Sequence, residues 1–241
     1  MKYMSQSYVS VIIPSFNRFK YLKNAIKSVQ NQNYENLEII VINDGSTEPE
    51  YYDHKFDSNV KILHLEENQK QINGFGPGAI RNFGTQIAKG EYLAFLDDDD
   101  IWLNEKLNIQ ISNMKNKGFK LSSTEGYYGQ GIYDPFSKYP LYNSDKYYKD
   151  LKYIYRKTKY LKNNFPDVWD YNFIKIHNCF ITSSVIVEKK TFDTLGGFRG
   201  LPLWADYDCW LGLLQLVDSL YINQPLFYYD SSHGDGRNYI K

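Results

Sequence analysis

The sequence has only two cysteines, Cys179 and Cys209, among its 241 residues. Two cysteines are too few for a disulfide framework, and such low usage fits a reducing compartment. Nowhere do cysteine and histidine residues cluster with the spacing of a zinc site. The sequence therefore argues against a disulfide scaffold and against a zinc-finger protein.

The chain also lacks a long apolar run and an excess of charge of either sign. No stretch approaches the roughly 18 apolar residues of a membrane-spanning helix, and the N-terminus lacks the apolar core of a signal peptide. Its 28 Lys and Arg residues balance 28 Asp and Glu residues, so the formal net charge is +0. Because a basic footprint is missing, we expect no nucleic-acid partner. We expect a cytoplasmic protein.

What is present is the composition of a globular domain. Hydrophobic residues make up 42% of the chain and charged residues 23%, which are ordinary values for a folded protein. A chain of this length buries enough surface for one compact domain. No linker or internal repeat divides it, so we expect a single domain over residues 1–241.

The first hundred residues alternate between the period of a strand and the period of a helix. The pattern predicts strands at Val9–Ile13, Leu37–Ile42, Val60–Leu65 and Glu91–Leu96. It predicts a helix after the first strand, capped by Asn17, and another at Pro77–Ala88. This alternation is typical of an α/β fold with a parallel sheet between helices. Ligands of such sheets bind beyond the carboxyl ends of the strands.

The second half of the chain is less regular. We expect a helix at Asn104–Lys117, turns at Gly126–Tyr142, a strand at Phe180–Val187, a helix at Asp206–Val217 and a strand at Leu226–Tyr229. Between them, Lys138–Lys162 holds eight Lys and Arg residues and two acids, interleaved with Tyr. This segment is either a solvated helix whose long side chains cover a core, or a patch that binds an acceptor or a membrane surface.

Polar side chains follow each predicted strand of the first half. They are Ser15 and Asn17 after the first strand, Asp44 after the second, Glu67 and Asn68 after the third, and Asp97–Asp100 after the fourth. Because the carboxyl ends of parallel strands share one edge of a sheet, this edge is the expected site.

Asp97–Asp100 is the strongest of these signals. Two carboxylates about 4 Å apart repel by roughly 4 kcal/mol at an effective dielectric constant near 20. Alternate residues leaving a strand point the same way, so Asp97 and Asp99 can converge on one hard divalent cation such as Mg²⁺ or Mn²⁺. The alternative is an acidic turn that caps the next helix.

Other candidate residues have two interpretations each. Asp44 precedes a glycine and either forms a turn or accepts a hydrogen bond from a base. Arg81 is either a surface residue or a cation facing a ligand. Asp206 and Asp208 either begin a helix or supply a general base. His233 is either an exposed histidine or a ligand of a metal or phosphate.

The motifs, in their order along the chain, resemble glycosyltransferase family 2, which has the GT-A fold. The matching stretches are VSVIIPSFNR (9–18), LEIIVINDGS (37–46), Glu67-Asn68, GPGAIRNFG (76–84), KGEYLAFLDDDDIW (89–102), ITSSVIVEKKTFDTLGGF (181–198) and ADYDCWL (205–211). The likeness is strong over about residues 8–102 and looser over residues 178–216.

The resemblance implies a central, mostly parallel sheet flanked by helices. It implies metal-dependent, inverting transfer of a sugar from a nucleoside diphosphate donor, with UDP favoured, to a hydroxyl of a glycan, protein or lipid acceptor. Residues 1–103 would form the half that binds the nucleotide sugar, and residues 104–241 the half with the acceptor site and the catalytic base.

The resemblance also implies a role for each matching residue. Nucleotide binding would fall to Pro14, Ser15, Asn17, Arg18, Asp44, Arg81, Asp97 and Asp98. Asp99 and Asp97 would bind Mn²⁺ or Mg²⁺, with His233 as a further metal ligand. Asp206 would be the catalytic base. Four consecutive aspartates leave a second register open, in which Asp98 and Asp100 bind the metal.

Two positions depart from the family pattern. Ala205 stands where the family has Glu, and Gly212 replaces a usual Arg. The first departure leaves a non-catalytic module that binds a nucleotide sugar as an alternative function. A nucleotidyltransferase is less favoured, because it would want a glycine-rich loop after the first strand, where this chain has PSFNR. A Gln-x-x-Arg-Trp motif and membrane helices are absent, which argues against a processive synthase.

Overall fold

Nine strands form one sheet in the computed structural model, which describes residues 6–232. The strands are β1 (Val9–Ser15), β2 (Leu37–Asn43), β3 (Val60–His64), β4 (Tyr92–Phe95), β5 (Ile101–Trp102), β6 (Leu121–Gly129), β7 (Val168–Trp169), β8 (Ile186–Glu188) and β9 (Ser219–Asp230).

Helices connect the strands and cover both faces of the sheet. They are α1 (Phe19–Gln30), α2 (Glu50–Asp53), α3 (Gln69–Asn73), α4 (Pro77–Ile87), α5 (Lys106–Lys117), α6 (Tyr148–Ile154), α7 (Tyr171–Ile174), α8 (Lys189–Leu195) and α9 (Ala205–Leu213). A π-helix covers Tyr142–Lys146 and a 3₁₀ turn covers Thr182–Ser184.

The sheet runs in the order β3-β2-β1-β4-β8-β6-β9-β5, and β7 also pairs with β9. The first four strands are all parallel. β8 is antiparallel to both of its neighbours, whereas β6 and β9 are parallel. The predicted α/β fold, with a parallel central sheet flanked by helices, is confirmed, and the C-terminal half adds strands in mixed orientations.

Two apolar cores hold the layers together, one on each face of the sheet. Every residue of β2 is buried, because its side chains alternate between the two faces. Ile40 and Ile42 belong to the core that includes Ile80 of α4, and Ile39 and Val41 belong to the core beneath α1. This burial on both faces explains why the strand reads as a continuous apolar run.

The strand predicted at Phe180–Val187 is wrong over most of its length. Residues Thr182–Ser184 form a 3₁₀ turn, and only Ile186–Glu188 is a strand. The Ser184 amide and hydroxyl both donate to the Ile181 carbonyl, at 2.8 and 2.7 Å. Serine side chains compete for backbone groups in this way, and the competition breaks the extended conformation.

The predicted cap of α1 is also wrong. The helix is preceded by Arg18, which makes no side-chain cap, while Asn17 has a left-handed backbone with φ +50°. The Asn17 side chain accepts a hydrogen bond from the Thr47 amide at 2.8 Å instead. Asn17 therefore joins the loop after β1 to the loop after β2.

Other predicted elements exist with shifted ends. α5 begins at Lys106 rather than Asn104, and α9 ends at Leu213 rather than Val217. The segment expected to be turns from residue 126 instead continues β6 to Gly129.

In the basic segment 138–162, α6 is short, and Leu151, Tyr155 and Leu161 are buried beneath it and the residues that follow. Most of the lysines there are exposed, as expected of a solvated layer over a core. Among residues 6–232, no helix combines the length and apolar character needed to span a bilayer.

Candidate active site

The carboxyl ends of β1, β2 and β4 meet at one edge of the sheet, because β1 pairs in parallel with both of the others. Ser15 ends β1, Asp44 directly follows β2, and Asp97 lies two residues beyond β4. The fold therefore brings together side chains that the sequence places up to 82 residues apart.

Ser15 and Arg18 fix the aspartates from the β1 side. The Ser15 hydroxyl donates to Asp98 at 2.6 Å and lies 2.5 Å from the Tyr51 hydroxyl. The Arg18 guanidinium donates to Asp99 at 2.9 Å and to Asp98 at 3.4 Å. Arg18 is half-buried, so the loop after β1 presents a cation directly to the acidic run.

Asp44 is buried and held by the start of α3. Its carboxylate accepts from the Asn68 side chain and from the Gln69 amide, both at 2.9 Å. Burial raises the pKa of Asp44, although the Gln69 amide partly offsets the effect. The carboxylate is thus fixed in place at the edge of the sheet, and the predicted Asn68 lies beside it.

Pro14 is half-buried within β1, and Asn17 is exposed in the loop that follows. The Asn17 amide donates to the Ser46 hydroxyl at 2.9 Å. This contact places the loop after β1 beside the loop that contains Asp44. Both residues lie along the edge where the sequence predicts a nucleotide.

The four aspartates differ in burial. The Asp97 side chain is 34% exposed, whereas those of Asp98 and Asp99 are 7% and 8% exposed and Asp100 is fully buried. Asp100 accepts hydrogen bonds from the Ser183 hydroxyl at 2.5 Å and from the Asp230 amide at 3.0 Å. Asp100 therefore joins the end of β4 to the end of β9.

The acidic run concentrates negative charge in a poorly solvated place. Burial raises the pKa of Asp98 to about 6, against hydrogen bonding from Ser15. Burial, with repulsion from Asp97 and Asp98, raises the pKa of Asp99 to about 7. Burial and the neighbouring carboxylates also raise the pKa of Asp100. A nearby cation would stabilise the ionised forms of these groups.

Arg81, Asp97 and Asp206 form a second charged group at the same edge. The Arg81 guanidinium, almost fully buried on α4, forms an ion pair with Asp97. Asp206 lies in the first turn of α9. Burial raises the pKa of Asp206, the positive charge of Arg81 lowers it, and the negative charge of Asp97 raises it. The Arg81 guanidinium thus lies near two carboxylates, those of Asp97 and Asp206, and Asp206 also lies at the start of α9.

These three residues line a pocket of about 440 Å³. Its wall also includes Tyr142 of the π-helix, Trp204 at the start of α9, and Ala205. A cavity of this size, mostly apolar with a few converging charged groups, is typical of a small-molecule site.

The chemistry of the aspartates fits a divalent cation. Within residues 6–232, no three His, Cys, Asp or Glu residues are arranged as a ready metal cluster. Mg²⁺, however, is commonly bound through one or two carboxylates together with substrate phosphates. Asp97, which is 34% exposed, and the neighbouring Asp99 offer such oxygen ligands, and their charge is only partly balanced by Arg81 and Arg18. His233 lies outside the described residues.

Sequence reasoning missed several residues of this site. Tyr51 contacts Ser15, Ser183 bonds Asp100, and Tyr142 and Trp204 line the pocket. These residues come from loops and helices far along the chain, and no local pattern marks them. Ser183 lies within residues 181–198, one of the stretches that resemble the family, and this is the only indication of its role that the sequence gives.

Comparison with known proteins identifies the same family that the sequence motifs resemble. The sequence model of Glycosyl transferase family 2 matches residues 10–179. An uncharacterized glycosyltransferase of Rickettsia bellii is 42% identical over 119 residues, which are 48% of this chain and 16% of the relative. The Campylobacter jejuni GalNAc(5)-diNAcBac-PP-undecaprenol beta-1,3-glucosyltransferase is 40% identical over 118 residues, 46% of this chain and 35% of the relative. The chain spans between 16% and 45% of the length of five such relatives.

Solved structures share the fold at low sequence identity. S. aureus TarS 1-349 in complex with UDP-GlcNAc has a TM-score of 0.64 and 20% identity, covering 95% of this chain and 60% of that chain. The mannosyltransferase PcManGT from Pyrobaculum calidifontis, in complex with GDP-Man and Mn²⁺, has a TM-score of 0.63 and 15% identity, covering 98% and 59%. Because the family model matches most of the chain, the protein belongs to glycosyl transferase family 2, with the GT-A fold.

Proposed function

We propose that the protein is a non-processive, inverting glycosyltransferase. It moves a sugar from a nucleoside diphosphate donor, with UDP favoured, to a hydroxyl of a glycan, protein or lipid acceptor. The observation that carries the proposal is the convergence of Asp97, Arg81 and Asp206 on one pocket beside the acidic run, in a chain of this family.

The nucleotide lies, in this proposal, along the edge formed by the loops after β1 and β2. Asp44 accepts a hydrogen bond from the base, since its carboxylate is fixed by Asn68 and Gln69. Pro14, Ser15 and Asn17 lie against the nucleoside, while Arg18 and Arg81 offset negative charge on the donor. Asp98 supports this edge through its hydrogen bond from Ser15.

The acceptor hydroxyl meets Asp206 in the pocket. The carboxylate accepts the hydroxyl proton while the acceptor oxygen forms a bond to the anomeric carbon of the donor sugar. On the opposite side of that carbon, the bond to the diphosphate oxygen breaks, so the configuration inverts. The raised pKa of Asp206 makes it a stronger base than an exposed aspartate.

Asp97 and Asp99 are the proposed ligands of Mn²⁺ or Mg²⁺. When bound there, such an ion neutralises charge on the departing diphosphate. The exposure of Asp97 favours this register over Asp98 and Asp100, because the Asp98 carboxylate accepts from Ser15 and the Asp100 carboxylate is engaged in the interior.

The named relatives support donor chemistry of this class. TarS is described with UDP-GlcNAc, PcManGT with GDP-Man and Mn²⁺, and the Campylobacter protein as a glucosyltransferase. The acceptor, the cytoplasmic location, a peripheral membrane contact and the division into halves at residue 103 all stay predictions. Ala205 favours one other candidate, a module that binds the donor without transfer.

The test is a panel of UDP- and GDP-sugars, each with and without Mn²⁺, in which release of the nucleoside diphosphate and the thermal midpoint are measured. We expect one donor to be cleaved in a Mn²⁺-dependent manner and to stabilise the fold. Stabilisation without cleavage, even with acceptors present, would support the binding module instead. Absence of both responses for every donor would refute both functions.

A further inference from the structure

A second pocket adjoins the candidate active site. It has a volume of about 550 Å³, and it shares Leu201, Leu203 and Trp204 with the 440 Å³ pocket that contains Asp206. The two cavities therefore lie on either side of one apolar ridge. A ligand reaching across this ridge would extend from the catalytic carboxylate into the second pocket.

Trp204 on the ridge is unusual in two respects. The chain has four tryptophans, all within the described residues; three of them are at most 1% exposed, whereas Trp204 is 45% exposed. Its backbone is also left-handed, with φ +61°. A bulky residue in this conformation costs free energy, and such strain tends to persist where function requires it.

The chemistry of the second pocket is mixed. Ile176 and Leu211 give it apolar walls, while polar groups beside them come from His177, Asn178, Tyr207 and Asp208. A purely apolar lining would suit an acyl chain. An exposed aromatic ring next to several hydrogen-bonding groups suits a ligand with one apolar face and a polar rim, which is the character of a sugar ring.

The wall on the Asp206 side is apolar where the family has a glutamate. Ala205 lines the first pocket and packs so closely on α4 that a Cβ added at Gly78 would lie 2.7 Å from the Ala205 Cβ. The approach to the ridge from Asp206 thus carries no charge at this position.

We propose that the second pocket binds the penultimate sugar of an oligosaccharide acceptor, with the Trp204 indole as its stacking surface. The proposal rests on the proposed function, because it takes the sugar in the first pocket as the one whose hydroxyl faces Asp206. The protein then prefers acceptors of two or more sugar units over monosaccharides.

The exposure of Trp204 gives a direct binding test. Acrylamide quenches exposed tryptophans, so quenching of the intrinsic fluorescence reports Trp204 while the three buried tryptophans contribute little. The probes are methyl glycosides of glucose, galactose and N-acetylglucosamine, and β-linked disaccharides of the same sugars, each with UDP and Mn²⁺. Because Trp204 lines both pockets, we expect at least one disaccharide to protect Trp204 clearly more than the matching monosaccharide does. Equal protection by both, or protection by neither, overturns the proposal.

Substitutions at Trp204 test the same site through transfer. Glycine adopts φ +61° without strain, so Trp204→Gly removes the ring while keeping the backbone, and Trp204→Phe retains an aromatic surface. We expect Trp204→Gly to lower the ratio of kcat/KM for disaccharide over monosaccharide acceptors roughly tenfold, with Trp204→Phe restoring most of it. Tyr153→Ala is the matched control, because Tyr153 is 66% exposed and lies on α6, away from both pockets.

An unchanged ratio in Trp204→Gly would overturn the proposal. Failure of the proposed function has a different signature. In that case the wild-type protein releases no nucleoside diphosphate from any donor, while the quenching experiment still decides whether the second pocket binds a disaccharide.

Discussion

Neighbouring acidic residues in this protein have opposite surroundings. Asp100 is buried with two hydrogen-bond donors, while Asp99 meets the Arg18 guanidinium. Asp206 is half-buried and lines the first pocket with Arg81, while Asp208, two residues on, forms an ion pair with the exposed Arg199. Residue identity alone does not separate these roles, and each pair supplies its own control.

Asp206→Asn tests the catalytic base. Asparagine keeps the shape of the side chain but cannot accept the acceptor proton, so transfer should fall by about 10²–10⁴-fold while donor binding persists. Transfer kinetics and calorimetric titration with UDP and Mn²⁺ measure the two properties. Asp208→Asn should leave donor binding, and transfer to a monosaccharide acceptor, close to the wild-type values, because Asp208 lines the second pocket but not the first. Full activity in Asp206→Asn would remove Asp206 from the mechanism.

Asp99→Asn and Asp100→Asn test the register of the metal site. We expect Asp99→Asn to abolish the rise in Tm that Mn²⁺ and UDP produce, because a proposed ligand is lost. We expect Asp100→Asn to keep that rise but to lower the free energy of unfolding by about 1–3 kcal/mol, since a buried acceptor is weakened. Thermal melts with and without Mn²⁺ and UDP distinguish the two. The reverse pattern would favour the register of Asp98 and Asp100.

At the scale of secondary-structure elements, the close packing of β6 against β9 explains a glycine, Gly126, that the sequence pattern places in a turn. β6 and β9 run side by side in parallel with shifts in register near Glu125. Gly126 lies directly against the Phe227 ring, where any Cβ would collide with it. The glycine that suggests a turn in the sequence is therefore a site of close packing inside a strand.

Gly126→Ala tests this packing. The added methyl group forces the Phe227 ring or β6 to move, so the free energy of unfolding should fall by about 1–3 kcal/mol. Urea denaturation measures the change. Tyr127→Phe is a control in the same strand, at a half-buried position, and should change stability by less than about 0.5 kcal/mol. Equal stability of wild type and Gly126→Ala would show that the contact is not tight.

At the scale of the whole molecule, buried ionisable groups link folding to pH. Burial lowers the pKa of His177 to about 4, whereas an unfolded chain has a histidine pKa near 6.5. The unfolded state therefore binds a proton that the folded state rejects between these values. The contribution of His177 to the free energy of unfolding is therefore fully present above about pH 6.5 and is lost as the pH falls toward 4.

His177→Gln tests this linkage, because it removes the titrating group while keeping a polar side chain. Between pH 7.5 and pH 4.5 the wild-type urea midpoint should fall more than that of His177→Gln. His54→Gln is the control, since His54 is exposed, and its pH profile should follow the wild type. Parallel profiles for wild type and His177→Gln would assign the acid sensitivity to other groups.

The sequence by itself determined the parallel strands, the polar residues at their carboxyl ends and the family. These features are local: apolar runs such as Leu37–Ile42 bury both faces of a strand, and motifs follow them directly. Only the tertiary structure decided that Asp100 is held in the interior, that Ser183 belongs to the site and that Trp204 divides two pockets. The Ser183–Asp100 contact joins residues 83 positions apart, and the second pocket joins loops and a helix between residues 176 and 211; no local periodicity encodes such contacts.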